Sequence, residues 1–264
     1  MASRVAEKKL KVRRMLVLLT RMYGRRTWTS RGPGLDVLVE AMLAQNTNMA
    51  NARRGYAMLR RRFSSWTKVM NAQVADVQRE ITICGLARMR AHRLQDLLRT
   101  VKRQRGRLSL DFLADEPPAD ATAYLTAFHG IGPKTAAVTL LFAFDAAVLP
   151  VDNGILRVAR RLRLVRPKAR DAEAERVLSP LVAEGRHYAT HTLMFRHAKE
   201  RCRPRNPKCH ECALLEMCPW GRRVVKHKPP EREGDVESGR RGRRPILLLA
   251  KHASAGIAKR AEAE

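Results

Sequence analysis

The sequence predicts an all-α fold, a bundle of short helices joined by short loops. Three observations carry that expectation: apolar residues recur at spacings of three and four, few segments alternate with period two, and helix-starting residues punctuate the apolar runs. At 264 residues with 45% hydrophobic content, the chain is long enough for one large domain or two small ones with an adequate core.

From the N-terminus, "MLVLL" at 15–19 is too short for a signal-peptide core, and no stretch approaches the roughly 20 apolar residues of a membrane helix. A soluble, intracellular protein is expected, in the cytoplasm or nucleoid. Pro33 opens "LDVLVEAML" and Asn48 precedes "MANARRGYAML", each a helix-start signal. Cys84 in "ITICGL" stands apart from the other four cysteines and reads as a small buried hydrophobe. Pro117 and Pro118 introduce "ADATAYLTAF". In "ILRVARRLRLV", Ile155, Val158, Ala159 and Leu162 form one face while Arg157, Arg160, Arg161 and Arg163 fall elsewhere, giving an amphipathic helix with a basic outside. Asp171 precedes "AEAERVLSPL" as a further capping signal. Beyond Trp220 the chain turns to charge runs and a Pro-Pro with little periodicity, so a basic, flexible tail is expected at 222–264. Its "RRGRR" reads either as a solvated basic segment or as a nonspecific DNA-binding extension.

Charge narrows the choice of partner. Fifty-three Lys and Arg against 25 Asp and Glu leave a formal +28, far beyond what solubility requires and suited to a polyanion such as nucleic acid. Five cysteines, four of them within 202–218, argue against scattered disulfides. Cys202, Cys209, Cys212 and Cys218 follow C-x6-C-x2-C-x5-C, a soft-ligand set suited to zinc or to an iron–sulfur cluster; the spacing alone leaves the metal open. The intervening "RPRNPK" places Arg203, Arg205 and Lys208 where a metal-pinned loop could grip phosphates.

The stretch "HGIGPKTAAV" fits a helix, a hairpin at Gly130-Ile131-Gly132 and a second helix begun by Pro133. The two glycines permit positive φ, and amides at a helix start bind anions without sequence preference. Lys134 directly follows the hairpin. It reads locally as an exposed or phosphate-binding lysine, or as a desolvated amine poised for a Schiff base. Asp152 in "PVDNGILRV" reads as an N-cap, and a carboxylate there could also stabilise cationic charge on a deoxyribose.

Together "HGIGPKTAAV", "PVDNGILRV" and the four-cysteine spacing, in that order, resemble the endonuclease III branch of the helix-hairpin-helix, Gly/Pro-Asp DNA glycosylase superfamily over roughly residues 8–221. The resemblance implies a [4Fe–4S] cluster on Cys202, Cys209, Cys212 and Cys218. It also implies a six-helix domain at 27–146 and a cluster domain made of 1–26 with 147–221. Lys134 matches the catalytic lysine and Asp152 the catalytic aspartate. Gln45 in "EAMLAQNTN" matches a glutamine that fills the gap left by an extruded nucleotide, and Leu86 in "ITICGLARMRAHRL" a residue wedged into the opposite strand; on local sequence they read as a helix-end polar residue and a core leucine. The activity implied is excision of damaged bases, oxidised pyrimidines among them, with strand nicking by β-elimination. The implied partner is double-stranded DNA bearing damaged bases or abasic sites, bound by a monomer. His129, Pro133, "VDNG" and "LAQNTN" depart from the family's usual residues near the expected pocket, so lesion preference is expected to differ. A monofunctional glycosylase and a non-enzymatic basic DNA-binding protein are the alternatives.

Overall fold

The computed structural model describes residues 2–227. Its elements are helical, as the apolar spacing predicts: α1 (Ala2–Tyr23), α2 (Gly34–Leu43), α3 (Met49–Arg62), α4 (Trp66–Asn71), α5 (Val74–Glu80), α6 (Ala87–Arg105), α7 (Pro118–Thr126), α8 (Pro133–Phe144), α9 (Asn153–Arg161), α10 (Asp171–Leu178), α11 (His187–Glu200) and α12 (Pro219–His227). Among the described residues no helix is long and apolar enough to cross a membrane.

The punctuation acts largely as read. The Asn48 side chain accepts from the Asn51 amide at 2.9 Å, and Pro33 and Pro117 occupy the cap positions of α2 and α7. Asp171 is one place out: Arg170 sits in the cap position and Asp171 is the first helical residue, where its carboxylate still complements the helix dipole. The expected face of α9 is buried, with Ile155, Val158, Ala159 and Leu162 all inside.

Two hydrophobic cores form. The first gathers Leu38 and Val39 of α2, Leu98 of α6, and Leu140 and Leu141 of α8. The second gathers Met15 and Leu19 of α1, Ile155 of α9, and Leu193 and Met194 of α11. The strap between α1 and α2 lies on α8: Trp28 Nε1 donates to Leu141 O at 2.9 Å, and the Arg31 amide donates to Phe142 O at 3.0 Å. Cys84 is buried, with its thiol on Asn51 O at 3.5 Å, as a small core residue.

The tail expected from residue 222 does not start there. Residues 222–227 complete α12, held by buried Gly221, whose amide donates to Cys218 Sγ at 3.2 Å. The remainder of the expected tail, "RRGRR" included, lies outside the described residues.

Candidate functional site

The hairpin is anchored from beneath. Phe128 and Ile131 are buried in the first core, and the Ile131 amide donates to Phe128 O at 3.0 Å. Ile131 is therefore a plug: neither its side chain nor its amide is available to a strand. Gly130 adopts φ +84°, and a Cβ there would stand 3.1 Å from the Arg93 side chain, so both backbone and space call for glycine. Gly132 does not share that conformation. At φ −91° it serves as the N-cap of α8, so the positive φ expected of both glycines is adopted by one. The first amides of α8 lack intrahelical acceptors, as at any helix start, and exposed Lys134 is the second residue of that helix.

Asp152 caps α9, its Oδ1 accepting from the Ile155 amide at 2.7 Å. Gly154 explains part of the unusual "VDNG": a Cβ at 154 would lie 2.9 Å from Ala198 Cβ and 3.2 Å from Asp152 Oδ1. Glycine thus lets α9 approach α11 without pushing the carboxylate aside. On α11, His191 is buried and shares a 2.9 Å hydrogen bond between Nδ1 and Pro150 O. Burial brings its pKa down to about 4. The hydrogen bond opposes that shift, and the charges of Asp152, Arg31 and Lys134 all act on the same ring. Lys134 and Asp152, 18 residues apart in sequence, thus both act electrostatically on this one imidazole.

Gln45 is tied to the hairpin, its Nε2 donating to Gly130 O at 2.9 Å and to Thr135 Oγ1 at 3.2 Å. Leu86 is not the core leucine of the local reading. It is 60% exposed, at φ +51°, in the cap position of α6. A residue the sequence reading passed over connects the two. Arg90 is buried and donates to Gly85 O at 2.8 Å and to the carbonyls of Met42 and Gln45, clamping the loop before Leu86 to the loop that carries Gln45. One arginine among many in "ARMRAHRL" offers no signal of burial.

The four clustered cysteines are free thiols lining one narrow cavity of about 20 Å³, beside His197, Leu214, Leu215 and Trp220. Arg161 Nη1 lies 3.1 Å from Cys202 Sγ, with its guanidinium 3.6 Å over the Trp220 ring. His197 Nε2 lies 3.7 Å from Cys212 Sγ while its Nδ1 pairs with the Tyr23 hydroxyl at 3.1 Å. Among the described residues no three His, Cys, Asp or Glu side chains converge closely enough for a single metal ion. The sulfurs surround a cavity instead, and four soft donors with a cation alongside suit a larger anionic group. Arg203, Arg205 and Lys208 are exposed on the loop between the first two cysteines, away from Lys134 in sequence and carried by the second core's side of the molecule.

A glycine hairpin between two helices, followed by an exposed lysine and, 18 residues on, by a helix-capping aspartate in an all-α frame, is the arrangement of a helix-hairpin-helix protein. The family profile described as "HhH-GPD superfamily base excision DNA repair protein" matches residues 39–184, more than half of the chain, and the chain belongs to that family. It is a DNA glycosylase of the base excision repair type. An endonuclease III of Treponema pallidum is 32% identical over 149 residues, 55% of this chain and 70% of that protein. A protein of Arabidopsis thaliana named as a candidate DNA glycosylase is 31% identical over 166 residues, 62% of this chain; the chain spans only 56% of its length. The fold is also that of a solved non-covalent endonuclease III–DNA complex, with a TM-score of 0.69 at 21% identity, covering 83% of this chain and 98% of the other.

Proposed function

We propose that the protein is a bifunctional DNA glycosylase and abasic-site lyase that acts on damaged double-stranded DNA, with oxidised pyrimidines among its substrates. The observation that carries this reading is the hairpin itself, whose helix start offers amides to a phosphate and presents exposed Lys134 in the first turn of α8, together with Asp152 held in the cap position of α9.

The hairpin grips the backbone while the target nucleotide swings out, because its anomeric carbon is inaccessible inside the stack. Gln45 and exposed Leu86, clamped together by Arg90, fill the space left behind. The Lys134 amine attacks C1′; the N–C1′ bond forms as the glycosidic bond breaks, and the base leaves with the bonding pair and takes up a proton. Ring opening yields the Schiff base. Loss of a C2′ proton then expels the 3′ phosphate, which nicks the strand. Asp152 stabilises positive charge on the sugar and handles protons.

The four cysteines, with Arg161 and His197 beside them, would hold a [4Fe–4S] cluster, which supplies a structural staple when bound. The phosphate grip assigned to Arg203, Arg205 and Lys208 would then ride on that staple. The cores change over between Val148 and Leu149, which supports a division into one domain near 27–146, holding the seven helices α2 to α8 where six were expected, and a cluster domain of 1–26 with 147–221.

Borohydride reduction is expected to trap a covalent enzyme–DNA adduct, and Lys134→Ala to abolish trapping and nicking while duplex binding persists. An undiminished adduct in that variant removes Lys134 from the mechanism. Base release without nicking by the natural protein makes it monofunctional.

A further inference from the structure

A second basic feature lies beside the candidate site. A solvent-open groove follows α9 from Asn153, past Arg157, Arg160 and Arg161, to Arg163 and the α12 residues Trp220 and Arg223. Five arginines line it and no acidic residue does. Among the described residues none of the five takes part in an ion pair.

Three of these arginines are held in place by carbonyls. Arg157 donates to Cys202 O at 2.7 Å and Ala198 O at 3.0 Å, Arg161 to Arg203 O at 3.0 Å, and Arg160 to Ala169 O. Carbonyl bonds fix a guanidinium without cancelling its charge, so the groove keeps a positive potential that a bound polyanion would relieve. The side chains of Arg163 and Arg223 make no hydrogen bond within the protein among the described residues, and both are exposed. They are the donors left for a ligand. Trp220, capped on one face by Arg161, forms part of the wall.

Length and position indicate the occupant. The nine residues of α9 rise about 13 Å, which matches about four phosphates of one B-form strand at about 3.4 Å of axis each. A single free phosphate would leave most of such a groove empty. One end of the groove is Asn153, the residue after Asp152, so a strand leaving the candidate centre enters it directly. We infer that this groove binds the sugar–phosphate backbone of substrate DNA flanking the lesion, extending the footprint beyond the hairpin. The inference rests on the DNA-repair reading above.

The test uses the full chain with Arg163→Gln and Arg223→Gln combined, and an equal-charge control, Lys9→Gln with Arg13→Gln on α1. Each binds a long duplex and a short one ending close to the lesion, both carrying an uncleavable abasic-site analogue, over a salt series. On the long duplex the groove variant is expected to show a log K against log [salt] slope shallower by about 1.8, at about 0.9 per lost phosphate contact. On the short duplex it should bind as the natural protein does, and the control should keep its slope on both. An unchanged slope on the long duplex overturns the inference, even if an acidic peptide is found to bind the groove. So does an equal change on the short duplex or in the control. Failure of the natural protein to release a base from any lesion in the short duplex would instead defeat the glycosylase–lyase reading and leave the binding comparison readable.

Discussion

The first core, built from residues 35–148, is almost wholly aliphatic and aromatic; its buried polar side chains are Arg90, Gln95 and Thr139. The second, built from 12–19 and 149–218, buries three histidines and Thr190 and ends at a cavity walled by thiols. The first closes on itself. The second packs α1 against the later part of the described chain and ties α9 to residues 198–203 through arginine–carbonyl bonds, beside a narrow thiol-lined cavity. Apolar burial stabilises the one outright, whereas under the proposed cluster assignment the other gains stability from what its cysteines hold.

The largest expected effect exploits that asymmetry. Under the cluster assignment proposed above, Cys212→Ser, or removal of the cluster, is expected to cost the second region about 5 kcal/mol or more, because metal-site binding energy is also folding energy. Hydrogen exchange should show α11 and α12 losing protection while α2 and α8 keep theirs. Equal loss throughout would show that the two cores unfold as one and that the contrast has no energetic meaning.

The next effect falls inside the first core. Arg90→Met removes a donor from three carbonyls; Met42 O keeps the Gln45 amide at 3.3 Å, while Gly85 O and Gln45 O lose their partner at about 1–3 kcal/mol each, so a loss of about 2–6 kcal/mol is expected in urea unfolding. The loops bearing Gln45 and Leu86 should loosen together, lowering base release more than duplex affinity. If the variant is as stable as the natural protein, water has replaced the guanidinium and Arg90 is no clamp.

Arg90 also marks the limit of what the sequence discloses. Helix starts at Asn48 and Pro118, the α9 face and the glycine hairpin were legible because each depends on neighbours a few residues away. So was the clustering of four cysteines, which line one cavity. The burial of one arginine among the many of this chain was not, because its acceptors lie 5 to 48 residues distant and only the folded chain assembles them. The left-handed, exposed Leu86 was hidden likewise, since leucine defaults to the core. Gly154 looked like a deviation in a motif until Ala198 was found opposite it. The helical continuation of α12 was missed because charge-rich composition conceals a helix that tertiary contacts stabilise.

His191 tests the seam between the cores at the smallest scale. Its ring meets Phe142 of the first core edge-on at 5.4 Å and stacks on Phe195 at 6.1 Å, while its hydrogen bond holds the Pro150 carbonyl just ahead of Asp152. Burial keeps the folded-state pKa near 4, against 6.5 for the free side chain. The unfolded chain therefore takes up a proton below pH 6.5 that the folded chain refuses until about pH 4. Stability from this group is fully present above pH 6.5 and falls as the solution is acidified, by about 1.4 kcal/mol per pH unit at most, or about 2 kcal/mol by pH 5. His191→Gln keeps a polar group facing Pro150 but does not titrate. Its unfolding free energy should change less between pH 7 and pH 5 than that of the natural protein, by about 2 kcal/mol, whatever its offset at pH 7. Parallel pH profiles would mean that the imidazole protonates in place, and that the seam is wet enough to separate the cores electrostatically as well as by composition.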